Sequence, residues 1–186
     1  MDEKEQITNL NETIAAKFSR IETTISSSQD IQELFENLVN AMTEEFAIPY
    51  IWFSFIHSRR AVELVKRLES SDLLKERLNM ILASAFADLI KNGQEPVLAN
   101  HELKPFFKLL PKSNKYFLKS LAVAPIVLKG NVIGSLNYGD STAQRYSPDM
   151  DTTLLQNLAE KFSSLLSKIL ANEKIESSVD EEQSEM

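Results

Sequence analysis

Few side chains in this sequence could support catalysis or metal binding. The 186 residues include two histidines and no cysteine, which excludes disulfides, thiolate zinc sites and thiol nucleophiles. Neither His57 nor His101 has a second histidine, or a carboxylate four residues away, at metal-ligand spacing. No Gly-x-Ser-x-Gly motif and no glycine-rich phosphate loop occurs. The sequence therefore predicts a protein that is not an enzyme and that holds no metal or cofactor.

Aromatic side chains, most of them with polar tips, are better candidates for a ligand site. Trp52 and Phe55 lie on a predicted strand, Tyr138 directly follows another, and Tyr116 lies in a long loop, so together they could line an apolar cavity. Aromatic residues on strands are more often plain core, and that alternative stays open. With two polar neighbours added, the predicted ligand-binding set is Trp52, Phe55, His57, Tyr116, Asn137 and Tyr138.

A short polar loop follows the last predicted strand. Its residues Asp140-Ser141-Thr142 and Arg145 either border a pocket or form a turn in which the aspartate and serine side chains hydrogen-bond the backbone. The turn is the simpler interpretation.

The overall charge argues against nucleic acid as a partner. The formal net charge is −7, which repels a phosphate backbone. A solvated rim explains the lysines of one loop-rich segment better than a nucleic-acid contact: Lys104, Lys108, Lys112, Lys115 and Lys119. The N-terminus is acidic, unlike a signal peptide, and no apolar run approaches the ~20 residues that cross a bilayer. We therefore expect a cytoplasmic protein without membrane contacts.

Apolar residues near the N-terminus recur at alternating three- and four-residue steps, which predicts an amphipathic helix. Its narrow stripe resembles a coiled-coil seam and consists of Ile7, Leu10, Ile14, Phe18, Ile21 and Ile25. Ser26-Ser27-Ser28 interrupts the pattern. We therefore assign residues 1–27 to a separate N-terminal helix, and expect it to form a homodimer together with the closing helix.

The next segments alternate between helix and strand. One apolar face predicts a helix over about Gln29–Phe46, and a serine before it can supply the cap. Tyr50–His57 is aromatic and β-branched, which predicts a strand buried on both faces. Arg59–Glu69 fits a strand and a helix equally well. Helical periodicity returns over Asp72–Asn92, and Asn92-Gly93 supplies the stop.

The second half predicts short strands around a long loop. Pro96-Val97-Leu98 fits a short strand, and the aromatic segment Asn100–Lys119 is long enough for a lid or binding loop. Leu121–Leu128 and Val132–Asn137 predict a hairpin that turns at Gly130.

Proline and charge define the remaining features. Pro125 lies inside the first hairpin strand, where it argues for an edge position or a bulge because proline cannot donate a ladder hydrogen bond. Ser147-Pro148-Asp149 is predicted to open a closing helix that carries its own apolar stripe. Residues 172–186 are acidic and almost free of apolar side chains, so we expect a disordered tail.

Taken in order, these elements resemble a GAF domain. The stretches that carry the resemblance are Ser120–Ile126 with its internal proline, Gly130–Asn137 with the pattern V-I-G-x-L, and Tyr146–Asp149 before the closing helix. The resemblance extends over about Gln29–Ala171 and is strongest in the final third. It implies an α/β (α+β) fold with a central antiparallel sheet flanked by helices, here over residues 28–171. More narrowly, the chain resembles small stand-alone bacterial GAF-like proteins without an assigned function.

The chain departs from the best-known members of that family. Bilin-binding and methionine-sulfoxide-reducing members need cysteine, which is absent here. The Asn-Lys-x-Phe-Asp-Glu motif of cyclic-nucleotide-binding members is missing, since Asn137 is followed by Tyr138-Gly139-Asp140. These activities therefore do not transfer.

What the resemblance implies is a non-catalytic sensory or regulatory domain. A small ligand would bind between the sheet and the Asn100–Lys119 loop, and the signal would leave through the terminal helices of a homodimer or pass to a separate effector protein. The alternative is a structural interaction module whose cavity is filled by its own side chains, for which Phe106, Phe107 and Phe117 are the candidates.

Overall fold

A five-stranded sheet with helices around it forms the body of the protein. The computed structural model describes residues 2–91, 93–113 and 116–184, with side chains as far as Lys174. The helices and strands, in chain order, are α1 (Glu3–Ser26), α2 (Ile31–Phe46), β1 (Tyr50–Ile56), α3 (Arg59–Leu68), β2 (Leu78–Ile81), α4 (Ala83–Leu89), β3 (Val97–Ala99), β4 (Ser120–Leu128), β5 (Asn131–Asp140) and α5 (Thr153–Ser184). Two short 3-10 helices lie between them, at Lys75–Arg77 and Lys104–Leu109.

The sheet has the strand order β2-β1-β5-β4-β3. Strands β1 and β2 are parallel, and every other pairing is antiparallel. The predicted α/β fold, with a central antiparallel sheet flanked by helices, is confirmed. Strand β5 is the central strand although it comes last in the sequence.

One side of the sheet, here called the helix face, packs against α1, α2, α3 and α5. Its core is aromatic: the Phe35 ring lies 4.8 Å from Phe53, 6.1 Å from Phe55 and 4.9 Å from Phe162, centroid to centroid. The other side, the loop face, is covered by α4 and the 104–109 helix, and contains Trp52, Ile81 and Leu109. Both faces of β1 are therefore buried, as its unbroken apolar run predicts.

Helix α1 is joined to the domain through its C-terminal half. Ile21 and Ile25 are fully buried against the helix-face core, and Arg20 forms a two-pronged ion pair with Glu45 of α2. The Ser26–Ser28 break therefore does not separate this half from the domain. The cap of α2 is Asp30 rather than a serine, because its side chain accepts from the backbone N–H of Glu33 at 2.8 Å.

The prediction of one helix over Asp72–Asn92 is wrong. The segment holds the 75–77 helix, strand β2 and the short α4, and Asn92 lies outside the described residues. Strand β2 pairs with β1 and sends Leu78 and Met80 to the helix face and Ile81 to the loop face. Pairing with a neighbouring strand thus overrides a three-and-four spacing that also fits a helix.

Several other boundaries are now settled. Residues 59–68 form a helix, capped by Ser58, whose hydroxyl accepts from the Ala61 N–H at 3.1 Å. The predicted hairpin forms, with Gly130 at φ 77° in its turn. The register shifts between Ile126 and Val127, directly after Pro125, which is the irregularity that the proline predicts.

The closing helix starts later and runs further than predicted. Ser147 and Asp149 form a polar turn, and α5 begins at Thr153, whose N–H donates to Asp151 at 2.8 Å. The helical backbone continues to Ser184, past the predicted boundary at residue 172, since each added residue of a helix gains a hydrogen bond. Side chains from residue 175 onward lie outside the described part, so the disorder of the acidic tail stays a prediction.

Candidate functional site

The sequence-predicted ligand residues do not converge on one site. Successive strand residues point to opposite faces of a sheet, and the set divides accordingly. Trp52 belongs to the loop-face core and Tyr116 packs against it, whereas Phe55 and Tyr138 belong to the helix-face core. His57 is exposed just beyond the end of β1.

A buried hydrogen-bond network occupies the loop face. The Ser135 hydroxyl donates to Asn137 Oδ1 at 2.9 Å, and Asn137 Nδ2 donates to the Ser54 hydroxyl at 3.0 Å. The carbonyl oxygen of Leu109 accepts from Ser54 Oγ and from Trp52 Nε1, both at 2.8 Å. Every member is fully buried, so the network fixes the 104–109 helix on the sheet.

Packing around this network fills the space where the ligand was expected. Tyr116 stacks on Tyr50 with 4.7 Å between ring centroids and lies 5.4 Å from Trp52. Leu109 is fully buried. Of the three phenylalanines proposed as fillers, Phe106 packs against this core, whereas Phe107 and Phe117 are exposed. Lys115, one of the five lysines of this segment, lies outside the described residues.

An open cleft of about 610 Å³ lies on the helix face instead, here called the helix-face cleft. Its walls come from α1, the end of α2, the sheet and the start of α5. They are mainly apolar, and include Ile14, Phe18, Phe46, Leu98, Leu154 and Leu155. The sheet contributes Tyr138, whose cross-strand neighbour Ala122 is small and pairs in turn with Leu98.

Tyr138 is a buried polar residue of this cleft whose hydroxyl has no partner among the described residues. Its side chain is fully buried, and its hydroxyl is the one buried side-chain oxygen or nitrogen in the described part of the chain that makes no hydrogen bond. Burial raises the pKa of this phenol far above its ordinary value. The group therefore stays protonated and able to donate.

Arg145 and its partners form the polar end of the cleft. Its Nε lies 2.6 Å from Asp140 Oδ2, and its Nη1 donates to the carbonyl of Phe46 at 2.9 Å. Desolvation raises the pKa of Asp140, but the hydrogen bonds from Thr142 and the Arg145 charge outweigh it, so this pKa lies below its usual value. Both alternatives for this loop therefore hold: Asp140 forms a turn with Thr142, and Arg145 borders a pocket.

The alternation of strand residues could have separated these two regions from the sequence alone. Trp52 and Phe55 are an odd number of positions apart, as are Asn137 and Tyr138, so neither pair can share a face of one sheet. The cleft itself could not have been found this way, because it depends on where α1 crosses α2 and α5.

The described residues hold no group of three or more histidine, cysteine or acidic side chains placed to bind a metal. Within the same part of the chain, no helix combines the length and apolar character that crossing a membrane requires.

Comparison with known protein families identifies the domain. A GAF domain family model matches residues 28–167, which is well over half of the chain. The chain belongs to the GAF domain family. The role general to this family is small-ligand sensing and regulation. No curated protein matches this chain.

Solved GAF structures share the fold. The GAF domain of the phosphoenolpyruvate-protein phosphotransferase from Acinetobacter is 14% identical, with a TM-score of 0.60 over 92% of this chain and 97% of that one. Its counterpart from Coxiella burnetii is 12% identical, with a TM-score of 0.54 over 88% and 95%.

Proposed function

We propose that this chain is a non-catalytic regulatory GAF domain that acts as a homodimer and transmits its signal through α1 and α5. Support for the absence of catalysis comes from the buried polar network. Ser54, Ser135 and Asn137 bond to one another and to a backbone carbonyl. None of these groups can act as the general base that a serine nucleophile needs.

The observation that carries the dimer is the exposed first half of α1. Every residue from Asp2 to Thr13 is exposed, although Ile7 and Leu10 are large and apolar, with 53% and 59% of their surface accessible. A short helical segment without packing is marginal in water. A second copy of α1 would bury these side chains at the same time as it supports the helix.

Such a contact would be connected to the rest of the domain. Lys17 of α1 donates to the carbonyl of Glu45 at 2.7 Å, and Arg20 bonds the Glu45 carboxylate. Helix α1 also contacts α5. A shift of one α1 helix against its mate would therefore move α2 and α5 directly. A separate effector protein bound to these helices would receive the signal in the same way.

The test replaces the exposed apolar residues. Ile7→Asp with Leu10→Asp should give a folded monomer, measured by light scattering and circular dichroism, because two charges would face each other across the seam. The matched control is Asn9→Asp with Ala16→Asp, which adds the same charge on the far side of α1 and should remain dimeric. A wild-type protein that is monomeric at micromolar concentration, or a double variant that stays dimeric, would refute the proposal.

A second candidate function is favoured by the filled loop face. In this second candidate the dimer is a structural interaction module that binds no ligand. It is supported by the hydrogen bonds to Leu109 and the stacked ring of Tyr116, which occupy the loop face of the sheet. A regulatory domain of the first kind would respond to a small ligand and this module would not, so a dimer that takes up no small molecule would support the second candidate.

A further inference from the structure

We propose that the helix-face cleft is a binding site for a small uncharged molecule with an apolar body and one hydrogen-bond acceptor, which the hydroxyl of Tyr138 recognises. This goes beyond the proposed dimer and does not depend on it. The site lies on the opposite side of the sheet from the filled loop face.

The size and lining of the cleft suit such a molecule. A volume of about 610 Å³ falls within the range of roughly 300–1,000 Å³ that small-molecule sites occupy. Side chains from α1, α2 and α5 give it apolar walls, among them Phe18, Phe46 and Leu155. Water gains little in such a place, whereas the apolar body of a ligand gains contacts.

The hydroxyl of Tyr138 supplies the second, independent observation. A buried polar group without a partner is rare and costs free energy, so each case requires an explanation. Tyr138 lines the cleft, and its hydroxyl makes no hydrogen bond within the described residues. An acceptor atom of the ligand would provide the missing partner, and the protonated phenol would donate to it.

The charges around the cleft favour an uncharged ligand. Arg145 is the cationic side chain in its wall, but Asp140 already pairs with the guanidinium at 2.6 Å. Asp151 adds a negative charge to the rim, where its carboxylate accepts from the Thr153 N–H. Among the residues that line the cleft, a carboxylate or phosphate would find no cation that lacks a carboxylate partner, while an amide or ketone oxygen needs none.

The position of the cleft gives binding a physical effect. Ile14 and Phe18 of α1 form one wall, and Leu154 and Leu155 of α5 form another. A molecule between them would hold the two helices at a fixed spacing.

The experiment uses the full chain and the neutral naphthalene ketone Prodan as a fluorescent probe. The wild-type protein should bind it saturably, with emission shifted to the blue. Tyr138→Phe should weaken binding about 5- to 10-fold, the equivalent of one hydrogen bond, without lowering the melting temperature. The matched control Tyr116→Phe, on the loop face, should bind the probe as the wild type does.

Competition tests the ligand class. Decanamide should displace the probe, and decanoate, with the same chain but a carboxylate head, should need at least a tenfold higher concentration. Absence of saturable binding, equal affinity of Tyr138→Phe and wild type, or better displacement by decanoate would each overturn the proposal.

The dimer and the ligand site can fail separately. If Prodan binds to the Ile7→Asp, Leu10→Asp monomer but not to the wild-type dimer, a second copy covers the cleft, and the ligand proposal is wrong while the dimer stands. If the wild-type protein is monomeric and still binds the probe through Tyr138, the dimer proposal is wrong and the ligand site stands.

Discussion

At Gly134 the chain has no room for a side chain. This residue lies in β5 opposite Phe55 of β1, and a Cβ atom there would stand 2.1 Å from the backbone oxygen of Ser54. The Ser54 carbonyl lies in β1, which is paired on both sides, so it cannot move aside without disturbing the ladder. Gly134→Ala should therefore lower the free energy of unfolding by about 3 kcal/mol, measured by urea denaturation.

Gly139 in the same strand is the matched control. Its Cβ would first meet Cδ2 of Leu118, at 2.4 Å, and that side chain can change rotamer. Gly139→Ala should cost less than half as much as Gly134→Ala. Equal losses would show that backbone crowding at Gly134 is not the cause.

Asp140 should make the stability depend on pH in the acid range. Its folded-state pKa lies below the ordinary value of 3.8 because of Thr142 and Arg145. A lowered pKa contributes stability that is present above the unfolded-state value and is lost as the pH falls through the folded-state value. Asp140→Asn should therefore cost about 1–3 kcal/mol at pH 7, measured by urea denaturation.

At pH 3 the same comparison should give a smaller difference, because the carboxylate is then mostly protonated in the unfolded chain and folding against a lowered pKa must release that proton. A difference that stays constant between pH 7 and pH 3 would mean that the ionised form of Asp140 contributes nothing. Asp88→Asn, at an exposed carboxylate of α4, is the control and should change little at either pH.

Among the elements, α1 has two halves that should respond differently to the same substitution. Ile21 is fully buried within its own chain, so Ile21→Asp would bury an unpaired charge and should cost about 4 kcal/mol or more. Ile7→Asp with Leu10→Asp changes exposed positions and should keep the helical circular dichroism signal. Loss of helix in both variants would show that the first half of α1 is part of the folding core.

Local patterns predicted the elements whose own residues specify them. The hairpin has its glycine turn, β1 has its unbroken apolar run, and α1 has its stripe. The prediction of a helix over residues 72–92 was wrong because the apolar spacing there fits a helix, whereas Leu78–Ile81 pairs as a strand with the open edge of β1. That edge is a property of the assembled sheet.

The candidate site was likewise predicted only in part, because it too depends on the assembled fold. Tyr138 was predicted as a ligand residue, and it lines a cleft, but its expected neighbour Trp52 lies on the other face. The residues that line the cleft with it, such as Phe18 and Leu155, are far apart in sequence. Their meeting depends on how α1 and α5 cross the sheet, which no local pattern of residues records.

For the whole molecule, the order of strands in space has a consequence for synthesis. Strand β5 occupies the centre of the sheet between β1 and β4, yet it is the last strand to leave the ribosome. Until Asn131–Asp140 has emerged, the nascent chain can form only two separate strand pairs, β1 with β2 and β3 with β4. Pairings over such a separation form slowly, and the unpaired edges stay exposed meanwhile. The interval before β5 docks is therefore when a chaperone would matter most to this protein.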